Sequence, residues 1–107
     1  LESASGRRMW QTLEATTGEG KPQERWANVF VIKNGSADRY LLFNESGDLI
    51  DCRMNPEGYR ELGRMHLIEP NGKDLRRRPI VWSHPAFGDL IICVRNDDSI
   101  RCFEWNQ

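Results

Sequence analysis

Short runs of β-branched and aromatic residues alternate with turn-forming clusters along the chain, and this alternation limits the fold more than any other feature. The dominant period is two rather than 3.6, which favours strands over helices. Residues 34–36 (Asn-Gly-Ser) and 96–99 (Asn-Asp-Asp-Ser) are typical of tight turns. The pattern therefore predicts an all-β fold of short antiparallel strands. The predicted strands cover residues 9–14, 28–33, 39–44, 48–54, 59–68, 80–84, 90–95 and 99–105.

One of these segments also fits a helix. Asn55 and Pro56 could cap and begin a helix that runs through Leu62. Gly58 and Gly63 would lie inside it, and each costs a helix about 1 kcal/mol relative to alanine. We therefore predict a strand in this segment.

Composition and charge exclude several functional classes. The chain has 107 residues, 29% of them charged, and a formal net charge of −1. It therefore has room for one small domain, and no overall field draws it to nucleic acid. No stretch approaches the roughly 20 apolar residues that span a bilayer, and the first residues do not form a signal peptide. The polar segments 16–25 and 71–78 are predicted to be surface loops, the second including the basic run 76–78.

Similar residues recur about 50 positions apart. The three pairs are Gly6 and Gly58, Trp10 and Leu62, and Cys52 and Cys102. A period near 50 residues with about four strands in each period is typical of the blades of a β-propeller.

The opening segment resembles the blade-end repeat of PQQ-like β-propellers, which has the form A-x-D-x-x-T-G-x-x-x-W. Glu2 stands at the Asp position and Ser5 at the Thr position, followed by Gly6 and Trp10. The middle copy is degenerate, with Cys52 in place of Ala, Gly58 in the glycine position and Leu62 in place of Trp. The final copy keeps Cys102 and Glu104.

Further resemblance extends over nearly the whole chain. Residues 40–49, 81–87 and 95–97 look like the C-terminal end of a group of exported bacterial PQQ-like repeat proteins. The resemblance implies a partial propeller of about two blades and a periplasmic or otherwise exported location. It divides the chain into residues 1–22 (outer strand and loop of a preceding blade), 23–69 (a complete four-stranded blade) and 70–107 (a loop and three strands of the last blade).

The resemblance also implies a role for the repeated residues. Gly6 and Gly58 would permit the turn between the third and fourth strands of a blade, and Trp10 and Leu62 would pack against the neighbouring blade. We expect no catalytic, metal or cofactor site in this segment. The expected function is that of a scaffold or protein-interaction module, with the remaining blades or a second copy of the chain as partner.

Three alternatives remain open. The chain could be the C-terminal part of a PQQ-dependent dehydrogenase-like oxidoreductase, whose axial calcium ligands would lie elsewhere in the parent protein. It could be a carbohydrate-binding propeller, which would need tryptophans exposed at one end of the blades. If the propeller interpretation fails, the replacement is an independent β-sandwich or open barrel of eight short strands.

The cysteines have no metal-ligand spacing, but two of them are predicted to face each other. If Asp97 and Asp98 form a two-residue turn, Cys93 pairs with Cys102 at a non-hydrogen-bonded position, where side chains approach closely. A disulfide fits this geometry, and two reduced, buried cysteines are the preferred interpretation.

The histidines and aspartates are interpreted as structural. Ser83 and His84 are adjacent on a predicted strand and would point to opposite faces, which argues against a nucleophile and base pair. His84 is expected to play a structural role, and His66 to occupy a half-exposed strand position. Asp48 and the 97–98 aspartates lack the spacing of a calcium loop and are attributed to turns.

Overall fold

The computed structural model describes residues 4–12, 14–17, 28–35, 37–73, 79–81, 83–88 and 90–104. In this part of the chain the secondary structure is nine strands and one helical turn, so the all-β prediction is confirmed. The helical turn is α1 (Glu14–Thr17), and the strands are β1 (Val29–Lys33), β2 (Arg39–Asn44), β3 (Asp48–Asn55), β4 (Gly58–His66), β5 (Gly72–Lys73), β6 (Pro79–Ile80), β7 (Ala86–Gly88), β8 (Ile91–Arg95) and β9 (Ile100–Glu104).

Strands β1 to β4 form an antiparallel four-stranded sheet, the first sheet, in which sequence neighbours are spatial neighbours. Phe30 pairs with Phe43, and Phe43 pairs with Leu49, so one face of the sheet carries a continuous apolar row. The opposite face carries its own buried row. Because both rows are buried, the two central strands β2 and β3 are packed on both faces. The two rows are Leu41, Phe43 and Leu49 on one face, and Leu42, Ile50 and Cys52 on the other.

Strands β7, β8 and β9 form the second sheet, which is antiparallel and packed on one face. Ile92 and Val94 are buried in the same cluster as Phe43 of the first sheet. Ile91 and Ile100 alternate with the buried residues and are 45% and 71% exposed. Along β8, buried apolar side chains on the inner face therefore alternate with more exposed side chains on the outer face, and β2 of the first sheet does not show this alternation.

The turn between β2 and β3 is buried and joins three parts of the chain. Asn44 is 1% exposed, and its side-chain oxygen accepts hydrogen bonds of 3.0 Å from the N–H groups of Ser46 and Asp48. Its side-chain amide donates to the Ala15 carbonyl of α1 at 2.9 Å. Gly47 has a φ of 87°, and a β-carbon there would collide with the backbone carbonyl of Ile68.

The same turn holds the connection that leads to the second sheet. The Leu67 N–H donates to the Gly47 carbonyl at 2.9 Å, and the Val81 N–H donates to the Glu45 carbonyl at 2.6 Å. Glu45 and Val81 are both buried. These backbone groups lie outside the β-ladders but are still hydrogen-bonded. Buried N–H and C=O groups generally need such partners.

Most strand predictions within the two sheets are confirmed. The strands predicted at 28–33, 39–44, 48–54, 59–68, 90–95 and 99–105 correspond to β1, β2, β3, β4, β8 and β9, with ends shifted by at most two residues and residue 105 outside the described part. The helix alternative at residue 55 is wrong, because Asn55 pairs with Gly58 across a two-residue turn. The sheets have four and three strands and are open, and the described residues do not form a closed propeller.

The strand predicted at residues 9–14 is wrong. Residues 9–12 have no regular secondary structure, and α1 follows at Glu14–Thr17. The hydroxyl of Thr12 accepts a hydrogen bond from the Glu14 N–H at 3.2 Å, which is N-capping geometry. The prediction of a loop at 16–25 is therefore wrong at Thr16 and Thr17, and residues 18–25 lie outside the described part.

The strand predicted at residues 80–84 is found only at Ile80, because Val81, Ser83 and His84 lie outside the strands and residue 82 lies outside the described part. Pro79–Ile80 pairs with Gly72–Lys73, so a short ladder replaces part of the predicted loop at 71–78. The next N–H, that of Val81, donates to the Glu45 carbonyl of the buried turn instead of to β5. The third strand of the second sheet is instead β7, at Ala86–Gly88.

Candidate functional site

The two repeat glycines lie in different settings. Gly58 follows the β3–β4 turn with a φ of 144°, next to a turn in which the Asn55 side-chain oxygen accepts from the Glu57 N–H at 3.0 Å. Gly6 has a φ of 72° and lies in a segment without regular secondary structure. The backbone at both positions favours glycine, but only Gly58 begins a strand.

Trp10 and Leu62, which occupy equivalent positions in the predicted repeat, also lie in different environments. The Trp10 indole N–H donates to the Asn55 carbonyl at 2.6 Å, which fixes the segment before α1 against the end of β3. Leu62 lies at the β-bulge where the register of β4 shifts opposite Asp51 and Cys52, and its side chain is 41% exposed. The other three tryptophans, Trp26, Trp82 and Trp105, lie outside the described part of the chain.

The three cysteines occupy two distinct environments. Cys52 is fully buried among Leu42 and Ile50, and burial raises the pKa of its thiol to about 11. Cys93 and Cys102 are directly opposite in β8 and β9, as predicted, with Cα atoms 4.1 Å apart. The preference for two reduced, buried cysteines is wrong. The pair forms a disulfide, and Cys102 is exposed because it lies on the outer face of the second sheet.

A row of connected polar side chains follows the outer strand of the first sheet. We call it the polar row, and it consists of Tyr59, Glu61, Arg64, Asp48, His66 and Glu69. The Arg64 guanidinium contacts Glu61 at 2.8 Å and Asp48 at 3.2 Å, and it also donates to the Glu14 carbonyl at 2.7 Å. The Tyr59 hydroxyl donates to Glu61 at 3.1 Å. Arg64 therefore connects the sheet edge to α1.

His66 ends the polar row between two carboxylates. Its Nδ1 lies 2.7 Å from an Asp48 oxygen, and its Nε2 lies 3.0 Å from a Glu69 oxygen. A neutral imidazole carries one N–H, so both contacts are hydrogen bonds only when the ring is protonated. The hydrogen bond to Asp48, followed by that to Glu69, raises the pKa of His66. Similarly, the hydrogen bond from Arg64 lowers the pKa of Glu61.

An apolar cleft lies between the two sheets, at their outer strands. It has a volume of about 330 Å3, and its apolar wall comes from Leu49, Met65, Leu67, Ile92 and Phe103. Glu104 lies beside Phe103 at the end of β9. The cleft thus has one wall on each sheet. Ile92 and Phe103 form the wall on the second sheet, so the position of that wall depends on where the end of β9 lies.

A more open polar cavity of about 440 Å3 lies at the end of the first sheet. Asp38 contacts Arg53 at 3.0 Å and accepts from the Asn55 amide at 2.9 Å. The Asn55 hydrogen bond is the main reason that the pKa of Asp38 is lowered. These groups satisfy one another and form an ion-pair cluster at this end of the sheet.

The other residues considered for catalysis or metal binding make packing and turn contacts. The His84 ring packs against Phe30, with ring centroids 4.0 Å apart, and His66 is a half-exposed residue at the end of β4. The predicted turn at 96–99 is confirmed, because the Asn96 side-chain oxygen accepts from the N–H groups of Asp98 and Ser99. Within the described ranges, no group of three or more His, Cys, Asp or Glu side chains is placed to hold a metal ion.

Comparisons with family models, with curated proteins and with solved structures give no match to this chain. No helix in the described residues is long and apolar enough to span a bilayer.

Proposed function

We propose that this chain is a non-catalytic β-sheet segment that serves as a scaffold or protein-interaction module. Its proposed origin is the last two blades of an exported bacterial PQQ-like repeat propeller. The main support is the difference between the two sheets. The first sheet buries apolar rows on both faces, while the second exposes Ile91 and Ile100 on its outer face.

The strand edges support the same proposal. β9 is the last strand of the second sheet, and its outer edge has no strand partner among the described residues. An unpaired edge beside exposed apolar side chains favours association with another sheet. The partner would be the remaining blades or a second copy of the chain, which would cover the outer face and extend the sheet.

The test is the mass of the isolated chain by light scattering over a range of concentrations, with circular dichroism on the same samples. We expect an oligomer that dissociates on dilution, and a loss of β-structure on dissociation would be further support. The variant Ile100→Lys places a charge on the outer face and should move dissociation to at least tenfold higher concentration. Val31→Lys is the matched control, since Val31 is a 55% exposed β-branched residue on the first sheet, and it should have no such effect.

A monomer at all concentrations, with a cooperative unfolding transition, would contradict the proposal. It would show that the chain closes its own core, as an independent β-sandwich would. An oligomer that both variants weaken equally would place the contact elsewhere than the outer face of the second sheet.

A further inference from the structure

The environments of the three cysteines predict very different reactivity. Cys52 is fully buried in the first sheet, where a soluble thiol cannot reach it. The Cys93–Cys102 disulfide crosses two strands on the outer face of the second sheet. Cys102 is exposed, and Cys93, directly opposite it on β8, is half-buried. Exchange with a thiol requires access to a sulfur atom, so the bridge and not Cys52 meets this requirement when the proposed partner does not cover this face.

We propose that the Cys93–Cys102 disulfide is a site of thiol–disulfide exchange with dithiol reductants, and that Cys102 is the sulfur attacked. A thiolate of the dithiol bonds to Cys102 Sγ, the bridge breaks, and Cys93 leaves as a thiolate that takes up a proton. The second thiol of the reductant then attacks the mixed disulfide and releases Cys102. Two electrons pass from the dithiol to the bridge, leaving two thiols on the chain and a disulfide on the reductant.

The structure also indicates what the bridge holds in place. β9 is an edge strand with β8 as its neighbour, and Phe103 is its residue that packs against the core. The turn end of this hairpin is held separately. The Asp97 N–H donates to the Asn71 side-chain oxygen at 2.8 Å, and the Asn71 amide donates to Asp98 at 2.7 Å.

Reduction should therefore release one end of β9 and not the other. The turn stays attached through Asn71, whereas Phe103 and Glu104 lie just beyond Cys102, at the opposite end of β9. These two residues line the cleft between the sheets. Loss of the bridge is thus expected to widen the cleft and expose Ile92 on its floor.

The first experiment locates the exchange. The native oxidised chain is first diluted to a concentration at which light scattering finds a monomer and circular dichroism still shows β-structure. It is then treated with dithiothreitol or, in a second arm, with a reduced thioredoxin-type dithiol protein, alkylated and mapped by mass spectrometry. Two new thiols should appear in the peptides holding Cys93 and Cys102, at a rate proportional to reductant, while Cys52 stays unlabelled. Reduction in both arms indicates a site open to macromolecular dithiols. Reduction by dithiothreitol alone restricts it to small molecules.

The second experiment identifies which of the two sulfur atoms is attacked. A monothiol, glutathione, is added in excess and the reaction is quenched with acid before mapping. The adduct should be at least fivefold more abundant on Cys102 than on Cys93. Cys52→Ala, mapped beside the unaltered chain, confirms that the third cysteine takes no part.

Three results would overturn the proposal. The bridge could resist both dithiols until denaturant unfolds the chain, or Cys52 could react first, or the adduct could form on Cys93. The predicted consequence is tested by amide hydrogen exchange. Reduction should speed exchange in β9 at least tenfold and leave β2 unchanged, and equal protection of β9 in both states would refute the release of its end.

Discussion

The two main sheets of this chain reach a folded state by different means. The first sheet has buried apolar rows on both faces, and Phe43, Ile50 and Cys52 are fully inaccessible. The second buries one face and is closed by a cross-strand disulfide. The comparison is consistent with a general rule: where less apolar surface is buried, a covalent restraint or a partner contributes more to stability.

The largest expected effect on stability tests the contribution of apolar burial in the first sheet. Phe43→Ala removes a ring that is completely buried between the sheets and should lower the free energy of unfolding by about 3–5 kcal/mol. Phe87→Ala is the matched control, because Phe87 is 38% exposed in β7 and should cost less than about 1 kcal/mol. Urea denaturation measures both, and similar losses would contradict the difference in burial.

A slightly smaller effect is expected at the buried turn of the first sheet. Gly47→Ala introduces a β-carbon at a φ of 87° and against the Ile68 carbonyl, so we expect a loss of about 3 kcal/mol. Gly35→Ala has a similar φ of 78° but open space around the new carbon, and it should cost about 1 kcal/mol. The same denaturation assay compares them. Equal losses would mean that φ alone, and not the close approach to Ile68, requires glycine at residue 47.

The disulfide of the second sheet should contribute less to the free energy of unfolding than the buried core residues of the first sheet. Replacing Cys93 and Cys102 with serine opens a loop of about ten residues, which should lower the free energy of unfolding by about 2–3 kcal/mol. The unaltered chain, reduced with dithiothreitol, should show the same loss without any substitution. Unchanged stability in both samples would show that packing alone holds β9.

The smallest expected effect concerns the pH dependence of the first sheet. The pKa of His66 is raised by Asp48 and Glu69, so its favourable contribution is complete below pH 6.5 and is lost as the pH rises through the folded-state pKa. Because the side chain is 45% exposed, we expect less than about 1 kcal/mol. The stability difference between the unaltered chain and His66→Asn should therefore shrink between pH 6 and pH 8.5.

Two controls sharpen this last measurement. Glu69→Gln removes one carboxylate and should lower the pKa of His66 in an NMR titration, whereas Glu57→Gln, at the distant β3–β4 turn, should not. Arg64 also contacts Asp48 and opposes the effect of that carboxylate on the ring. A difference that grows as the pH rises would reverse the expected sign.

The hairpins of both sheets could be predicted because their strands are bounded by strong turn signals. β2 was predicted to the residue, since residues 34–36 and 44–48 mark both of its ends. The register of β8 and β9 follows from the 96–99 turn, which brings Cys93 opposite Cys102. The bonding state of the pair could not be predicted in this way, because the register brings the two sulfur atoms close together whether they are thiols or a disulfide.

The elements that were missed depend on contacts between distant residues. Val81 has the β-branched character of a strand, but its N–H is bonded to the buried Glu45 turn. Trp10 lies in the strand predicted at residues 9–14, but its indole N–H fixes it to Asn55 without a strand pairing. The burial of Asn44 and Glu45 has no local signal either, since Asn-Glu-Ser-Gly reads as an ordinary surface turn.

The polar row has a partial signal in the sequence. Tyr59 and Glu61 alternate along β4, as do Arg64 and His66, which predicts one polar face for each pair. The bulge at Leu62 brings the two pairs onto the same face, and a bulge is not visible in residue spacing. The connection to Asp48 then requires the register of β3 against β4.

The buried Asn44 side chain has a consequence for the order of folding events. Its amide bonds Ala15, 29 residues earlier in the chain, while the following turn accepts Val81 from a much later segment. Neighbouring hairpins close short loops and can form first. The contacts of the β2–β3 turn with Ala15 and Val81 require both distant segments to be in place. We therefore expect Asn44→Ala to accelerate unfolding in stopped-flow measurements and to leave the refolding rate nearly unchanged.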